Sequence, residues 1–359
     1  MTVKTFGGAV ALPMALCAAL INATPAAAQD APESEISVLA LRPDAHGPAG
    51  TMADHVHKQG DVMLGLMWMH ESYGGSNRAG TTEVSPAQIA AAGYAVRDRA
   101  MTMDMAMLHV MYAPSDRVTL MLVPSWMRMG MTMEGLPMAA GAAAGGHAGH
   151  ALMPGETMAH SVQGLGDIQF GALVSLSRRA ELAAHAGLMI SAPTGSVSRR
   201  NASGAYVHYM MQGGSGTWDL NPSFTLHGAN RHFGWGVQIA YLYRAEDANR
   251  SGFRFGDRFN ATAWASKPVS DQLSLSARLA LTREGTIKGH YNDTHAHASP
   301  PDRQANYGGT RIDAGIGANL ILAGRVRLGA EAALPVYQDL NGIQLPRRFS
   351  GNLSVSLMF

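Results

Sequence analysis

Methionine and histidine are the residues here whose chemistry and spacing stand out. Fifteen of the 23 methionines fall between Met52 and Met138. Met101, Met103, Met105, Met107 and Met111 share one parity with His109, and Met121, Met127, Met129, Met131 and Met133 share a parity in the next stretch. Upstream, Met63, Met67 and Met69 repeat the pattern. Thioethers are soft ligands that select Cu(I) and Ag(I) over hard cations, and imidazole adds affinity for Cu(II) and other borderline ions. Histidine also gathers between these stretches: His46, His55 and His57 with Met52; His147, His150 and His160 with Met153 and Met158; and His290, His295 and His297. These residues predict contact with a soft metal, with copper as cargo or ligand and no cofactor required. A plainer reading stands beside it. Methionine is an adaptable filler, so the same wall would accept apolar organic solutes, and the Gly/Ala-rich His-Ala-Gly-His stretch reads equally as a solvated hinge.

Period-two alternation carries the methionines, which places them on β-strands with two unlike faces. Opposite the methionine face run Val62, Leu64, Leu66 and Trp68, then Leu108, Val110 and Tyr112, then Val118, Leu120, Leu122 and Trp126. These apolar sets suit lipid, so the methionines should look into a lumen. About 12 strands are expected, at 61–70, 100–112, 117–133, 166–177, 180–192, 217–228, 231–244, 255–267, 272–286, 310–322, 325–337 and 350–359. The joins after even-numbered strands are tight and those after odd-numbered strands are mostly long. That asymmetry predicts an all-β, up-and-down antiparallel transmembrane β-barrel with short periplasmic turns and long outer loops. If the turn at 113–116 pairs Tyr112 with Val118, His109 faces Met121, Met103 faces Met127 and Met101 faces Met129, while the outward Asp104 and Arg128 become diagonal neighbours. The inward charges Asp167, Glu181, Asp219, Arg278, Asp313, Arg327 and Glu331 should form a network that stiffens the wall.

Composition removes competing classes. The chain has 359 residues, 47% hydrophobic and 15% charged, with a formal net charge of +1. Disorder needs fewer apolar residues and more net charge, and 27 basic against 26 acidic residues leave no basic face for nucleic acid. Residues 1–28 read as a signal peptide: Lys4 in the n-region, an apolar core from Val10 to Ile21 that contains Cys17, and a small-residue cleavage site at Ala26–Ala28. Beyond it no apolar run is long enough for a membrane helix. The expected organisation is 1–28 signal peptide, 29–60 a flexible periplasmic segment, and 61–359 an outer-membrane barrel in lipid.

The C-terminal strand ends Leu353, Val355, Leu357, Phe359, similar to the terminal signature of bacterial outer-membrane barrels. Four motifs narrow the likeness: Gly164-Leu165-Gly166-Asp167-Ile168, Ala192-Pro193-Thr194-Gly195-Ser196, Gly214-Ser215-Gly216-Thr217-Trp218-Asp219-Leu220, and Leu334-Pro335-Val336-Tyr337-Gln338-Asp339-Leu340-Asn341-Gly342. Together they resemble the outer-membrane transporter family named after the MetA pathway of phenol degradation, which implies passage of small organic molecules. The Met/His-rich segments are similar in composition to outer-membrane copper-resistance proteins. No HExxH, phosphate loop, dinucleotide fingerprint or nucleophilic cysteine is present, so no enzyme is expected. The reading is an outer-membrane transporter or channel for a small solute, with copper or another soft ion as cargo. The alternatives are uptake of small aromatic or apolar compounds, and a plugged barrel that is structural or sequesters metal.

Overall fold

The computed structural model describes residues 42–137, 152–179, 182–230, 232–322 and 324–359. The expected signal peptide at 1–28, Met138, His147, His150 and Glu181 lie outside the described residues. The wall is a closed antiparallel barrel of 12 strands. In chain order they are β1 (Val62–Gly74), β2 (Val96–Ser115), β3 (Val118–Val123 and Ser125–Gly135), β4 (Thr157–Leu165 and Ile168–Arg178), β5 (Ala183–Ala192) and β6 (Asp219–Ala229). The circuit continues with β7 (Gly234–Arg244), β8 (Arg258–Pro268), β9 (Leu273–Glu284), β10 (Gly309–Leu322), β11 (Val326–Gln344) and β12 (Arg347–Met358). Each strand pairs with its sequence neighbours, and β1 pairs with both β2 and β12, which closes the ring. Phe359 completes the seam: its N–H donates to Val62 O at 2.9 Å. Closure leaves no strand edge along most of the circuit, the only way a sheet can sit in hydrocarbon.

Local chemistry sets the turns. Asn230 Oδ1 accepts from the N–H groups of His232 and Phe233 at 2.8 and 3.0 Å. Ser270 Oγ does the same for Gln272 and Leu273, and Gly324 takes a φ of +65° that other residues resist. Pro124, which has no N–H to donate, interrupts β3. The sheet tolerates it because its carbonyl still accepts from Leu108 N–H at 3.1 Å. Outward positions are apolar and exposed, with Leu66, Leu279, Ile316 and Leu353 among them. Tyr112, Phe233 and Phe359 lie near the periplasmic turns, and Trp218, Tyr243 and Tyr337 toward the outer rim, the paired aromatic belts of a membrane barrel.

Two expectations change. The β2–β3 register lies two residues from the one anticipated: Met111 pairs with Met121, Met105 with Met127, Met103 with Met129 and Met101 with Met131. A bulge between Tyr112 and Ser115 absorbs the difference. Asp104 therefore faces Arg128 directly, and its carboxylate accepts from His70 Nδ1 at 2.7 Å. His70 is no strand end, since β1 runs on to Gly74.

The second change concerns the N-terminal segment. Residues 42–60, expected as part of a flexible periplasmic extension, instead thread the lower lumen as a plug. Ser274 Oγ donates to Pro43 O (2.8 Å), Arg327 Nη2 to Gly47 O (2.8 Å), Gln238 Nε2 to Met52 O (3.0 Å) and His57 N–H to Thr119 Oγ1 (3.0 Å). A 12-strand lumen is narrow enough for one extended chain to fill it, and the wall's polar side chains satisfy the backbone that enters.

At Gly50 the plug lies tight against the wall: a Cβ there would collide with Glu331 Oε1 and stand 2.6 Å from Arg278 Nη2. Gly50→Val should expel the plug, raising single-channel conductance in planar bilayers and exposing residues 42–60 to protease in the purified barrel. Unchanged conductance and protection would mean that Gly50 does not hold the plug in place.

Candidate functional site

The inner wall is divided by chemistry. On β1–β3 it is sulfur. Met63, Met67, Met69, Met101, Met103, Met105, Met107, Met111, Met121, Met127, Met129, Met131 and Met133 all lie in two apolar clusters inside the barrel. His109 is buried between Met107 and Met111 on the same face. The register lines them up across strands: Met63–Met111–Met121 near the periplasmic end, Met69–Met105–Met127 above, and Met101–Met131 toward the outer mouth. Met189 of β5, not anticipated, joins the lower group.

Elsewhere the wall is ionic and paired. Arg278 grips Glu331 with both Nε (2.8 Å) and Nη2 (2.5 Å), and Arg244 meets Asp219 at 2.5 Å. Arg347 bridges Glu71 and Asp313, and Arg311 Nε donates to Asp313 at 3.0 Å. Of these, Glu71, Arg244, Arg311 and Arg347 were not singled out from the sequence. Burying such charges is tolerable only because each has a partner, and removing one partner costs about 3–5 kcal/mol.

At the lower end the plug brings histidines to the methionines. His55 Nδ1 donates to Asp54 Oδ1 at 2.8 Å, and Gly47 N–H donates to Asp54 Oδ2 at 2.7 Å. Ligand atoms of His46, Asp54 and His55 lie within 4.8 Å of one another. The His55 ring is 4.4 Å from that of His46 and 4.7 Å from that of His57. Burial, aided by Arg327, holds the His46 imidazole well below its ordinary pKa, and burial pushes His57 down to about 3. For Asp54 burial alone would raise the pKa, but the neighbouring His55 outweighs it and keeps the carboxyl ionised. The result is one carboxylate close to the neutral imidazoles of His46 and His57. His46 Nδ1, His55 Nε2, His57 Nε2 and His109 Nε2 are all buried without a hydrogen-bond partner. A cavity of ≈ 70 Å³ opens between plug and wall, lined by Met52, Asp54, His55, Met63, Met67, His109, Met111 and Met121.

The remaining predicted residues separate. His160 faces inward across from Met131, and Met158 lies across from Met133 but is exposed. Met153 is exposed at a turn and joins no cluster. His295 and His297 meet edge to face, ring centroids 4.2 Å apart, in an outer loop beside Tyr291. His185 and His227, missed in the sequence, face the plug at 5.9 Å from each other, and His185 Nε2 donates to Ala53 O at 2.9 Å. Their inward parity on β5 and β6 was the available signal.

Three of the four motifs meet at the outer rim. Asp167 accepts from Gly195 N–H (2.8 Å), Ser215 N–H (2.6 Å) and Ser215 Oγ (2.9 Å), and Thr194 Oγ1 donates to Gly166 O at 3.1 Å. The Thr217 hydroxyl donates to Asp219 at 2.7 Å, and Ser215 Oγ lies 2.9 Å from Asp219 as well, its single proton shared between the two carboxylates. This knot pins both ends of the loop 193–218, whose middle drops into the barrel: Val207, Met210 and Met211 pack on the upper methionines. Asp167→Ala removes a charged acceptor shared by three donors, and each such bond is worth about 1.5–3 kcal/mol. It should lower the urea midpoint and open the loop to protease while leaving the barrel's heat-modifiable gel mobility intact; unchanged protease resistance would show that the knot does not hold the loop.

No curated protein matches the sequence. Among solved structures, an outer membrane channel from Pseudomonas putida F1 is similar with a TM-score of 0.56 and 15% identity, covering 86% of this chain and 99% of that one. A Pseudomonas aeruginosa FadL homologue aligns at a TM-score of 0.41 and 11% identity, over 88% of this chain and 92% of that one. The first of these shares the barrel fold found here, and the closed sheet with its apolar belt is that of a Gram-negative outer-membrane barrel. A family described as "Putative MetA-pathway of phenol degradation" matches residues 125–333, from the upper half of β3 into β11 and through all three motifs of the Asp167 knot, and the chain belongs to that family.

Proposed function

We propose that this channel-type barrel handles a soft metal cation, copper above all, along its methionine wall. The observation that carries the reading is the ≈ 70 Å³ cavity where the imidazoles of His55 and His109, each with an unpartnered Nε2, meet the thioethers of Met52, Met63, Met111 and Met121. Cavities that admit a benzene ring are nearer about 150 Å³, so this one suits an ion better than a phenol. Its donors are soft sulfur and borderline nitrogen, the set that favours Cu(I) and accepts Cu(II). His55 also has its other nitrogen tied to Asp54, the carboxylate–histidine arrangement that orients an imidazole toward a metal.

A second reading draws on the filled lumen. The plug occupies its lower half and Val207–Met211 its upper part, which suits a barrel that stores metal at the cell surface instead of conducting it.

Replacing Met63, Met111 and Met121 together by Leu keeps volume and apolarity while removing sulfur. The triple variant should migrate as a folded barrel yet bind Cu(I) at least tenfold more weakly in competition with a chromophoric chelator. Equal Cu(I) retention would overturn the metal reading. Permeation of phenol through proteoliposomes by a barrel that retains no copper would transfer the assignment to apolar solutes. Copper retention with no conductance would favour storage.

A further inference from the structure

We infer that a second soft-metal site lies at the outer mouth, built by His208, Met133 and His160. It rests on the reading that the lumen's cargo is a soft cation, and adds where that cargo would stop on the opposite side of the barrel.

His208 sits on the loop that the Asp167 knot drops into the mouth. Its Nδ1 donates to Asp302 Oδ1 at 2.7 Å, so its Nε2 is aimed elsewhere, and Met133 Sδ stands 3.3 Å from that Nε2. Asp302 is itself held by the N–H and hydroxyl of Ser299, both at 2.9 Å. A carboxylate fixing one imidazole nitrogen while the other faces a donor atom is the orientation that metal-binding histidines adopt. A nitrogen at about 2.0 Å and a sulfur at about 2.3 Å from a tetrahedral ion would be about 3.5 Å apart. The observed pair is within a few tenths of an ångström of that separation.

Two further groups lack partners beside this pair. The His160 ring lies 5.6 Å from that of His208, and His160 Nδ1 is buried and unpaired. Asp98, 4% exposed, has Oδ1 unpaired within electrostatic reach of His208. A weak N–H···S bond would account for His208 and Met133 alone, but it leaves His160 Nδ1 and Asp98 Oδ1 buried to no purpose. A cation held by His208 Nε2, Met133 Sδ and His160 Nδ1 engages the first of these as a ligand and gives the Asp98 carboxylate a charge to face. Occupation displaces the proton that Nε2 directs at the sulfur, as metal binding to imidazole does generally. Met158, exposed and directly across from Met133 on β4, extends the thioether row outward from the site.

The site is therefore made only when the loop is folded in. Both ends of the methionine wall then carry an imidazole–thioether station, one against the plug and one against the loop.

The test uses the full-length protein in nanodiscs, loaded with Cu(I) under reducing conditions, and counts bound copper while X-ray absorption reads its sulfur and nitrogen neighbours. Met133→Leu with His160→Gln leaves the His208–Asp302 anchor intact, and heat-modifiable mobility reports folding. Wild type should bind one more ion than this variant, and the variant should lose a mixed nitrogen–sulfur signal. The same pair of substitutions in the Met63/Met111/Met121→Leu background separates the two sites. Copper that persists in that background and disappears with Met133→Leu and His160→Gln supports the mouth site even if the lower cavity fails. Identical copper content with and without the mouth substitutions overturns it, whatever the lower cavity does.

Discussion

Inside a bilayer no water reaches a peptide group, so every backbone N–H and C=O in the wall must find its partner in the wall. From that constraint follow the closed ring of 12 strands, the seam of β1 with β12, and the alternation that puts leucine and tyrosine outward. Closure has a second consequence that decides the interior. A ring of this size encloses a narrow lumen, and here side chains and inserted chain fill it. The plug at the lower end and the loop 193–218 at the upper end are the two insertions.

The lumen solves its packing problem differently on its two sides. On β9–β12 the fill is ionic and hydrogen-bonded: Arg278 with Glu331, Arg347 with Asp313 and with Glu71 of β1, and Arg327 with the plug's Gly47 carbonyl. Such pairs fix positions, because a displaced partner leaves a buried charge alone. On β1–β3 the fill is thioether, which is flexible and makes weak, interchangeable contacts. A rigid ionic half thus holds the barrel and its plug in place, while the sulfur half can adjust around a guest. Most of that sulfur half lies on β1, β2 and lower β3, outside the residues 125–333 that mark the family.

The family motifs take on a physical role once their partners are known. Separately, Gly164–Ile168, Ala192–Ser196 and Gly214–Leu220 are strand ends and turns. Together they form the Asp167 knot, whose acceptor oxygens are shared between a glycine N–H and a serine. The knot places His208 and Met211 over the upper methionines, so a surface motif fixes which side chains line the mouth.

Much of this was legible in the sequence because a lipid-facing strand must alternate, and alternation is read directly from residue order. Strand number, turn placement, the outward apolar faces and the inward parity of Met101 through Met133 all follow from it. The register of β2 against β3 was not legible: a bulge near Tyr112 changes the pairing by two residues without changing which face any side chain takes. Nor could periodicity find the plug or His208, since both lie in irregular chain whose path is set by distant partners such as Ser274, Gln238, Thr119 and Asp302. Local chemistry alone determined that this chain rolls into a barrel with sulfur inside, because faces depend on neighbours one and two residues away. Only the tertiary structure decided which histidines meet that sulfur, because those encounters depend on groups hundreds of residues apart being brought into one narrow, water-poor space.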